Sequence, residues 1–259
     1  MSLLFIIIFC VAILFSMLGL GGGVFYVPLL LQAGLPFREA AATSLSIILV
    51  MSLTATFFFH KNRLVDWKLV LLLEPFSIIG AYTAGLSSDF FEVSLLEGLF
   101  GLVALISAFF MIKPAVPKAF KKINKAGFIH RRMGSEEYHI NLWAGIPLSF
   151  IAGYGSVLLG IGGGFAKVPM MALIFGVPSK IAVATSSAMI VITSLTGFSG
   201  YALTGHVNYE LSLVLAVAVF FGGYVGSRIS VKTEKRFINM LFGILLIIVS
   251  GWMLYRAFL

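Results

Sequence analysis

Long apolar runs fill this chain, and the same glycine-rich phrase interrupts two of them. The first phrase reads Gly19-Leu20-Gly21-Gly22-Gly23, and the second reads Gly160-Ile161-Gly162-Gly163-Gly164. Runs of about twenty apolar residues are typical of transmembrane helices. Glycine supports a helix interior poorly, and broken backbone is tolerated at membrane depth only where it is buried in protein or lines a cavity. The pattern therefore predicts two broken helices at the working centre of a membrane protein.

The apolar segments predict ten helical stretches in two sets of five. The first set covers 3–18, 24–35, Ala40 to Phe59, Leu69 to Leu86 and Val93 to Ile112. The second set covers 140–159, 165–177, 181–203, 211–227 and 237–258. This predicts an all-α polytopic membrane protein with a first repeat at 1–112, a basic linker at 113–139 and a second repeat at 140–259. No Lys or Arg precedes the first segment, so we expect it to be structure rather than a cleaved leader.

The two halves repeat each other residue by residue. An offset of 141 pairs the glycine phrases and then Pro28 with Pro169. From Gly34 onward the offset is 142, which pairs Ala42-Thr43-Ser44 with Ala184-Thr185-Ser186. Internal duplication of this kind is the usual construction of secondary transporters.

Length and charge predict that the two repeats are inverted. Residues 3–35 would span about 50 Å as one helix, whereas the hydrocarbon core is about 30 Å thick. A helical hairpin fits better, and it leaves three crossings in each repeat. With the linker inside and Lys167 set aside as intramembrane, this topology places 15 of the other 17 Lys and Arg inside and two outside. If residues 3–35 and their counterpart each crossed as one helix, so that all eight segments crossed, the counts would be 11 and 6. The positive-inside rule favours the first arrangement.

Composition excludes several classes of protein. The chain is 60% hydrophobic and 11% charged, and its net charge of +8 comes from loops between apolar segments, where the positive-inside rule explains it without nucleic acid. Cys10 is the only cysteine, and the four histidines have no metal-ligand spacing. No cofactor or metal is expected, and the glycine phrases lack the Lys-Ser/Thr of a nucleotide-binding loop.

Together these motifs resemble the sulfite exporter TauE/SafE family. The resemblance rests on the two GxGGG phrases, the proline after each, the Ala-Thr-Ser runs and the stretch Val65-Asp66-Trp67. It covers nearly the whole chain apart from the linker. It implies a permease of the bacterial inner membrane for sulfur-containing anions such as sulfite or sulfonates, without fixing which one.

Physical chemistry independently favours an anion at the glycine phrases. If each phrase is a hairpin tip, the returning helix begins there with free N–H groups and partial positive charge. The candidate binding residues are Gly21, Gly22 and Gly23 in the first phrase, and Gly162, Gly163 and Gly164 in the second. The alternative is that these glycines only permit close helix packing.

Two charged residues lie inside apolar segments. Lys167 is three residues beyond Gly164, and its counterpart is Tyr26. We expect Lys167 to supply positive charge to the anion site and Tyr26 to offer a hydroxyl; a snorkelling Lys or a structural pair with Glu74 are the alternatives. Glu74 is a candidate for proton coupling, with a buried partner for Lys167 or an interfacial carboxyl as alternatives.

Hydroxyl groups at matched positions complete the predicted site. They are those of Thr43, Ser44, Thr185, Ser186 and Ser187, near the start of a crossing helix in each half. Hydroxyls can donate to an oxyanion without adding charge; the alternative is hydrogen bonding or packing between helices.

The prediction is a secondary transporter of small sulfur-containing anions that works by alternating access. The alternatives are an anion channel, a carrier of another small carboxylate or oxyanion, and a structural subunit; no paired acids or nucleophile with its base indicate an enzyme. Expected partners are the anionic substrate and membrane lipid, with no nucleic acid, and a homodimer stays open. The linker is expected to be cytoplasmic.

Overall fold

The computed structural model describes residues 2–18, 21–112, 126–134, 136–230 and 236–258. All ten predicted apolar segments form helices there. The first half contains α1 (Ser2–Leu18), α2 (Gly23–Gln32), α3 (Phe37–Lys61), α4 (Trp67–Ser87) and α5 (Val93–Ile112). The second half contains α6 (Leu142–Leu158), α7 (Gly164–Leu173), α8 (Ser179–Leu203), α9 (Tyr209–Ser230) and α10 (Arg236–Ala257). In this described part, α3, α4, α8 and α9 are long and apolar enough to cross a membrane.

Glycine and proline set the helix ends at equivalent places in the two halves. The glycine phrases separate a 17-residue helix from a ten-residue helix, α1 from α2 and α6 from α7. A ten-residue helix is about 15 Å long, half the thickness of the hydrocarbon core. Pro36 and Pro178 then precede α3 and α8 in extended conformation. The predicted broken helices are confirmed, although Gly19 and Leu20 lie outside the described residues.

The two halves interlock instead of lying side by side. Helix α4 packs on α6 and α8, and its counterpart α9 packs on α1 and α3. Helices α3 and α8 pack on each other, as do α5 and α10. If each helix is replaced by its counterpart in the other half, the same set of contacts results. The packing therefore has the symmetry of the sequence repeat.

Helices α4 and α8 run in the same direction. The backbone N–H of Asp66, just before α4, donates to Thr185 Oγ1 at 3.0 Å, and Glu74 lies against Thr193. Farther along, a Cβ on Gly85 would lie 2.9 Å from the Cα of Gly200. Residues farther along α4 therefore contact residues farther along α8, so the two helices are parallel.

A β-hairpin departs from the all-α prediction. Strands β1 (Phe128–Met133) and β2 (Glu136–Asn141) pair antiparallel, with Met133 opposite Glu136. Both strands lie in or at the edge of the segment predicted to be a linker, and residues 113–125 of that segment lie outside the described residues. The inner side chains Tyr138 and Ile140 are buried against the ends of α3, α4, α7 and α8. Apolar burial on one face explains why this basic stretch folds.

Candidate functional site

The two glycine phrases contact each other in the interior of the protein. A Cβ on Gly23 would overlap the carbonyl oxygen of Gly160 and the backbone of Ile161. Gly21 and Gly162 both lie against the side chains of Ile48 and Ile190, which are equivalent residues of α3 and α8. The broken helices from opposite halves therefore touch at a pseudo-symmetric contact.

Glycine is required at the turns that begin α2 and α7. The residues that precede these helices, Gly22 and Gly163, have φ of 78° and 92°. Side chains other than glycine rarely adopt this left-handed conformation. Within each helix the first donors bond back to these residues: Tyr26 N lies 3.1 Å from Gly22 O, and Lys167 N lies 3.0 Å from Gly163 O. The N–H groups of the first two residues of each helix precede these bonds and have no intrahelical acceptor.

The close approach of the phrases predicts a large effect of one methyl group. We expect Gly23→Ala to lower the thermal midpoint or prevent folding, because its Cβ meets backbone that side-chain rotation cannot move. Gly251→Ala in α10 is the matched control, since nothing lies within 4 Å of its added Cβ. Thermal melting of the purified proteins measures both, and equal midpoints for the two variants would contradict the close contact.

Lys167 forms a buried ion pair with Glu74. Its Nζ lies 3.0 Å from Oε1 and 2.9 Å from Oε2 of Glu74, and it also contacts Thr193 Oγ1. The Thr193 hydroxyl donates to Glu74 and lies 3.3 Å from Ser77 Oγ. Lys167 is 0% exposed and Glu74 is 2% exposed. Of the alternatives for Lys167, the pair with Glu74 is the one that the structure contains. This pair joins α4 of the first half to α7 and α8 of the second half.

The equivalent position in the first half has different chemistry. Tyr26 corresponds to Lys167, and its hydroxyl donates to Met51 Sδ at 3.3 Å. Met51 corresponds to Thr193, and Ala216 corresponds to Glu74. The contact is conserved between the halves, but only the second carries charge.

Of the five predicted hydroxyl groups, three form hydrogen bonds and two have no hydrogen-bond partner among the described residues. Ser44 Oγ donates to Gly160 O at 2.7 Å and so holds the second glycine phrase, and Ser187 Oγ donates to Val183 O at 3.0 Å. Thr185 accepts from the Asp66 backbone. Thr43 Oγ1 and Ser186 Oγ are buried without a hydrogen-bond partner among the described residues. Such groups are costly unless a solute satisfies them, so these two hydroxyls remain available to bind one.

Asp66 is a functional candidate that the sequence reasoning noted only as part of a family motif. Its carboxylate caps α4 through the N–H of Lys68 and accepts from Arg131 Nη2 at 2.6 Å and from Arg131 Nε at 3.2 Å. Tyr138 also donates to it. Burial alone would raise the pKa of Asp66, but these hydrogen bonds outweigh burial and lower that pKa below its ordinary value. The carboxylate is therefore ionised throughout the neutral range.

The far end of α4 has a second charged cluster. Arg38 Nε lies 3.1 Å from Asp89, and His206 Nε2 lies 2.7 Å from the same carboxylate. Arg38 begins α3, Asp89 follows α4 and His206 lies between α8 and α9. This cluster ties the two halves together at the end of the molecule opposite Asp66.

An apolar cavity of about 220 Å³ adjoins the second glycine phrase. Its walls include Gly163 and Ser156 and come from α5, α6 and α7. In the first half, Phe15 and Phe25 stand at the positions equivalent to Ser156 and Ala166, and their rings pack 5.1 Å apart. The two halves therefore differ beside the second glycine phrase, where only this half has the small residues that line the cavity.

Comparisons with known proteins agree with this architecture. The family model described as "Sulfite exporter TauE/SafE" matches residues 4–253. "Probable membrane transporter protein YunE" of Bacillus subtilis is 36% identical over 93% of this chain and 93% of its own length. "Sulfite exporter TauE/SafE family protein 6" of Arabidopsis thaliana is 23% identical over 90% of this chain and 74% of its own length. No solved structure matches the chain. On the family match and the similarity to YunE, the chain is a multi-pass membrane transporter that belongs to the sulfite exporter TauE/SafE family.

Proposed function

We propose that this chain is a secondary transporter of small sulfur-containing anions, such as sulfite or organosulfonates, and that it works by alternating access. The observation that carries the proposal is the contact between the two glycine phrases, where the first residue of α2 lies against the residues that lead into α7. Helix N-termini favour anions through their free N–H groups and partial positive charge. The family description, which names sulfite, supports the choice of anion.

The surrounding side chains suit a small oxyanion. Thr43 and Ser186 offer buried hydroxyl groups, and Lys167 offers the one cation buried at this depth among the described residues. Neutral donors bind an oxyanion without holding it as tightly as a second cation would. This balance favours release as well as binding, which a carrier requires.

Inversion of the repeats is supported by the direction of α4 and α8. Helix α3 is joined to α4 by a short turn, so two crossing helices in this arrangement run antiparallel. Helix α8 runs with α4 and therefore against α3, although α3 and α8 are equivalent in the sequence repeat. Equivalent helices with opposite directions are the mark of an inverted repeat.

The orientation follows from charge. The excess of Lys and Arg in the linker and in the loops on its side favours a cytoplasmic location of this side by the positive-inside rule. We propose the bacterial inner membrane as the location, in keeping with the bacterial relative described above. In this orientation Asp66 and the β-hairpin lie at the cytoplasmic end of α4, and the Arg38–Asp89–His206 cluster lies at the external end.

Glu74 is the proposed coupling group. A substrate anion and the Glu74 carboxylate compete for Lys167, and protonation of Glu74 frees the cation for the substrate. An ionisable pair inside a membrane segment is costly and is functional by default. Proton and anion then bind together.

The free hydroxyl of Thr43 gives a test of the binding site. We expect Thr43→Val to weaken substrate affinity about fivefold to tenfold, the effect of one net hydrogen bond, while leaving thermal stability unchanged or higher. Ser52→Ala is the control, because that hydroxyl bonds only within α3. Half-saturation of uptake measures affinity, and equal affinities in both variants would remove Thr43 from the site.

Counterflow in proteoliposomes tests the function as a whole. The purified chain is loaded with unlabelled sulfite and challenged outside with labelled sulfite in the presence of a sulfonate, sulfate or acetate. Trans-stimulated exchange that sulfur oxyanions inhibit establishes the carrier and ranks its substrates. Exchange that acetate inhibits equally indicates a broader carboxylate carrier, flux without trans-stimulation indicates a channel, and no flux rejects the proposed anions.

A further inference from the structure

The β-hairpin covers one end of the helix bundle that holds the Lys167–Glu74 pair. Tyr138 is 1% exposed and Ile140 is 0% exposed, and both belong to an apolar cluster that reaches Leu73, next to Glu74. The backbone N–H of His139 also donates to the carbonyl of Phe175, after α7, at 3.3 Å. The hairpin is therefore docked on the bundle by both side chains and backbone.

Asp66 joins the hairpin to both helices beneath it. Its carboxylate binds Arg131 of β1 and Tyr138 of β2, caps the start of α4, and its backbone N–H binds Thr185 of α8. The Arg131 contact is bidentate, which is the strongest geometry for an arginine and a carboxylate. One residue thus connects the hairpin to both sides of the α4–α8 contact.

The ion pair lies farther along the same contact. Glu74 follows Asp66 by eight residues and Thr193 follows Thr185 by eight residues, which is about 12 Å along each helix. A solute that approaches Glu74 from this end must pass the hairpin, which is packed over it. Two-stranded hairpins are only marginally stable by themselves, so the position of this one depends on its docking contacts.

We propose that the hairpin is a lid over this end of the α4–α8 contact, and that Asp66 is the catch that holds it closed. The catch is suited to reversible opening because the Arg131 side chain is 18% exposed at the rim, whereas that of Asp66 is 1% exposed. Arg131 regains water as soon as it leaves the carboxylate. Opening exposes the end of the bundle to water and gives solutes a path to Lys167 and Glu74. The lid rests on the proposed function only for the statement that those solutes are anions.

Thiol labelling tests the lid without any substrate. Cys10 is first replaced by Ser, and Ala182→Cys then reports from the buried cluster beneath the hairpin at the start of α8. Arg131→Met removes the charge of the catch, and Asp66→Asn does the same while keeping a residue that caps helices well. Arg132→Met is the matched control, because that neighbouring side chain is 70% exposed. A membrane-impermeant maleimide is added to the side of the vesicle on which the hairpin lies.

We expect both catch variants to label at position 182 at least about tenfold faster than the control, the factor expected for losing a charge-assisted hydrogen bond. A cysteine in place of Ala104, buried in α5 away from the hairpin, must keep its slow rate in the same variants. Equal labelling of position 182 in the catch variants and in Arg132→Met would overturn the lid. Acceleration at position 104 together with position 182 would overturn it as well, since it reports general loosening.

Discussion

Replacing Lys167 by Met is expected to abolish anion transport and to destabilise the protein. Lys167 is fully buried, and its loss leaves the Glu74 carboxylate without its cation. Breaking a buried ion pair by removing one partner costs about 3–5 kcal/mol, so thermal melting should fall substantially. Counterflow of labelled sulfite should fall by at least about a hundredfold if the substrate loses a charge-assisted contact of about 3 kcal/mol.

The double variant Lys167→Met with Glu74→Gln separates binding from structure. It removes both charges, so the melting temperature should recover toward that of the natural protein, because no unpaired charge is buried. Transport should not recover, since the cation that holds the anion is still missing. A double variant that transports like the natural protein would reduce the pair to a structural one. A double variant that is both stable and inactive supports substrate binding at Lys167.

The repeat could be recognised in the sequence because the residues that define it, glycines and prolines, are required by the backbone conformation. Gly22 and Gly163 must adopt left-handed conformations, and Pro36 and Pro178 begin the next helix, so these residues occur at matched places in both halves. Long apolar runs predicted all ten helices, because a segment in lipid must satisfy its backbone hydrogen bonds within itself. The sequence also assigned both phrases to one working centre, and the two phrases touch in the structure.

The hairpin and the role of Asp66 were not predicted from the sequence. The segment was interpreted by its charge as a linker, although two six-residue runs separated by Gly134-Ser135 are a hairpin signal. The role of Asp66 depends on Arg131 and Tyr138, which are 65 and 72 residues away along the chain. Pairings over such distances depend on how elements pack, and a single sequence has no local pattern that records them.

Charge breaks the symmetry of the repeat at the Lys167 site. Tyr26 with Met51 and Lys167 with Thr193 are equivalent contacts, and a single site served by both Tyr26 and Lys167 stays a prediction. Each has its own partner in its own half, and Glu74 joins only the second. Glu74 is therefore the carboxylate that can couple a proton to the cation of this site.

Glu74→Gln is expected to uncouple transport from the proton gradient while exchange continues. Glutamine keeps the size and hydrogen bonding of the protonated acid but cannot lose a proton, so Lys167 stays available to the substrate at every pH. The other ionisable side chains on the helices that pack against α4 do not share this role: Tyr154 bonds Ser87, Tyr201 bonds the backbone of Leu158, and Lys180 is exposed. Glu74 is then the group through which pH acts on this site.

Two measurements on the same proteoliposomes decide this. With a pH gradient imposed and no substrate gradient, the natural protein should accumulate labelled anion on the alkaline side, because a proton and an anion cross together. Glu74→Gln should show no accumulation above background but should retain counterflow at equal pH, with a rate that no longer varies with pH. Glu97→Gln is the matched control, since that buried carboxylate pairs with Arg256 at 2.9 Å between α5 and α10, away from Lys167. Accumulation by Glu74→Gln at the level of this control would remove Glu74 from coupling, and the ion pair would then serve substrate binding alone.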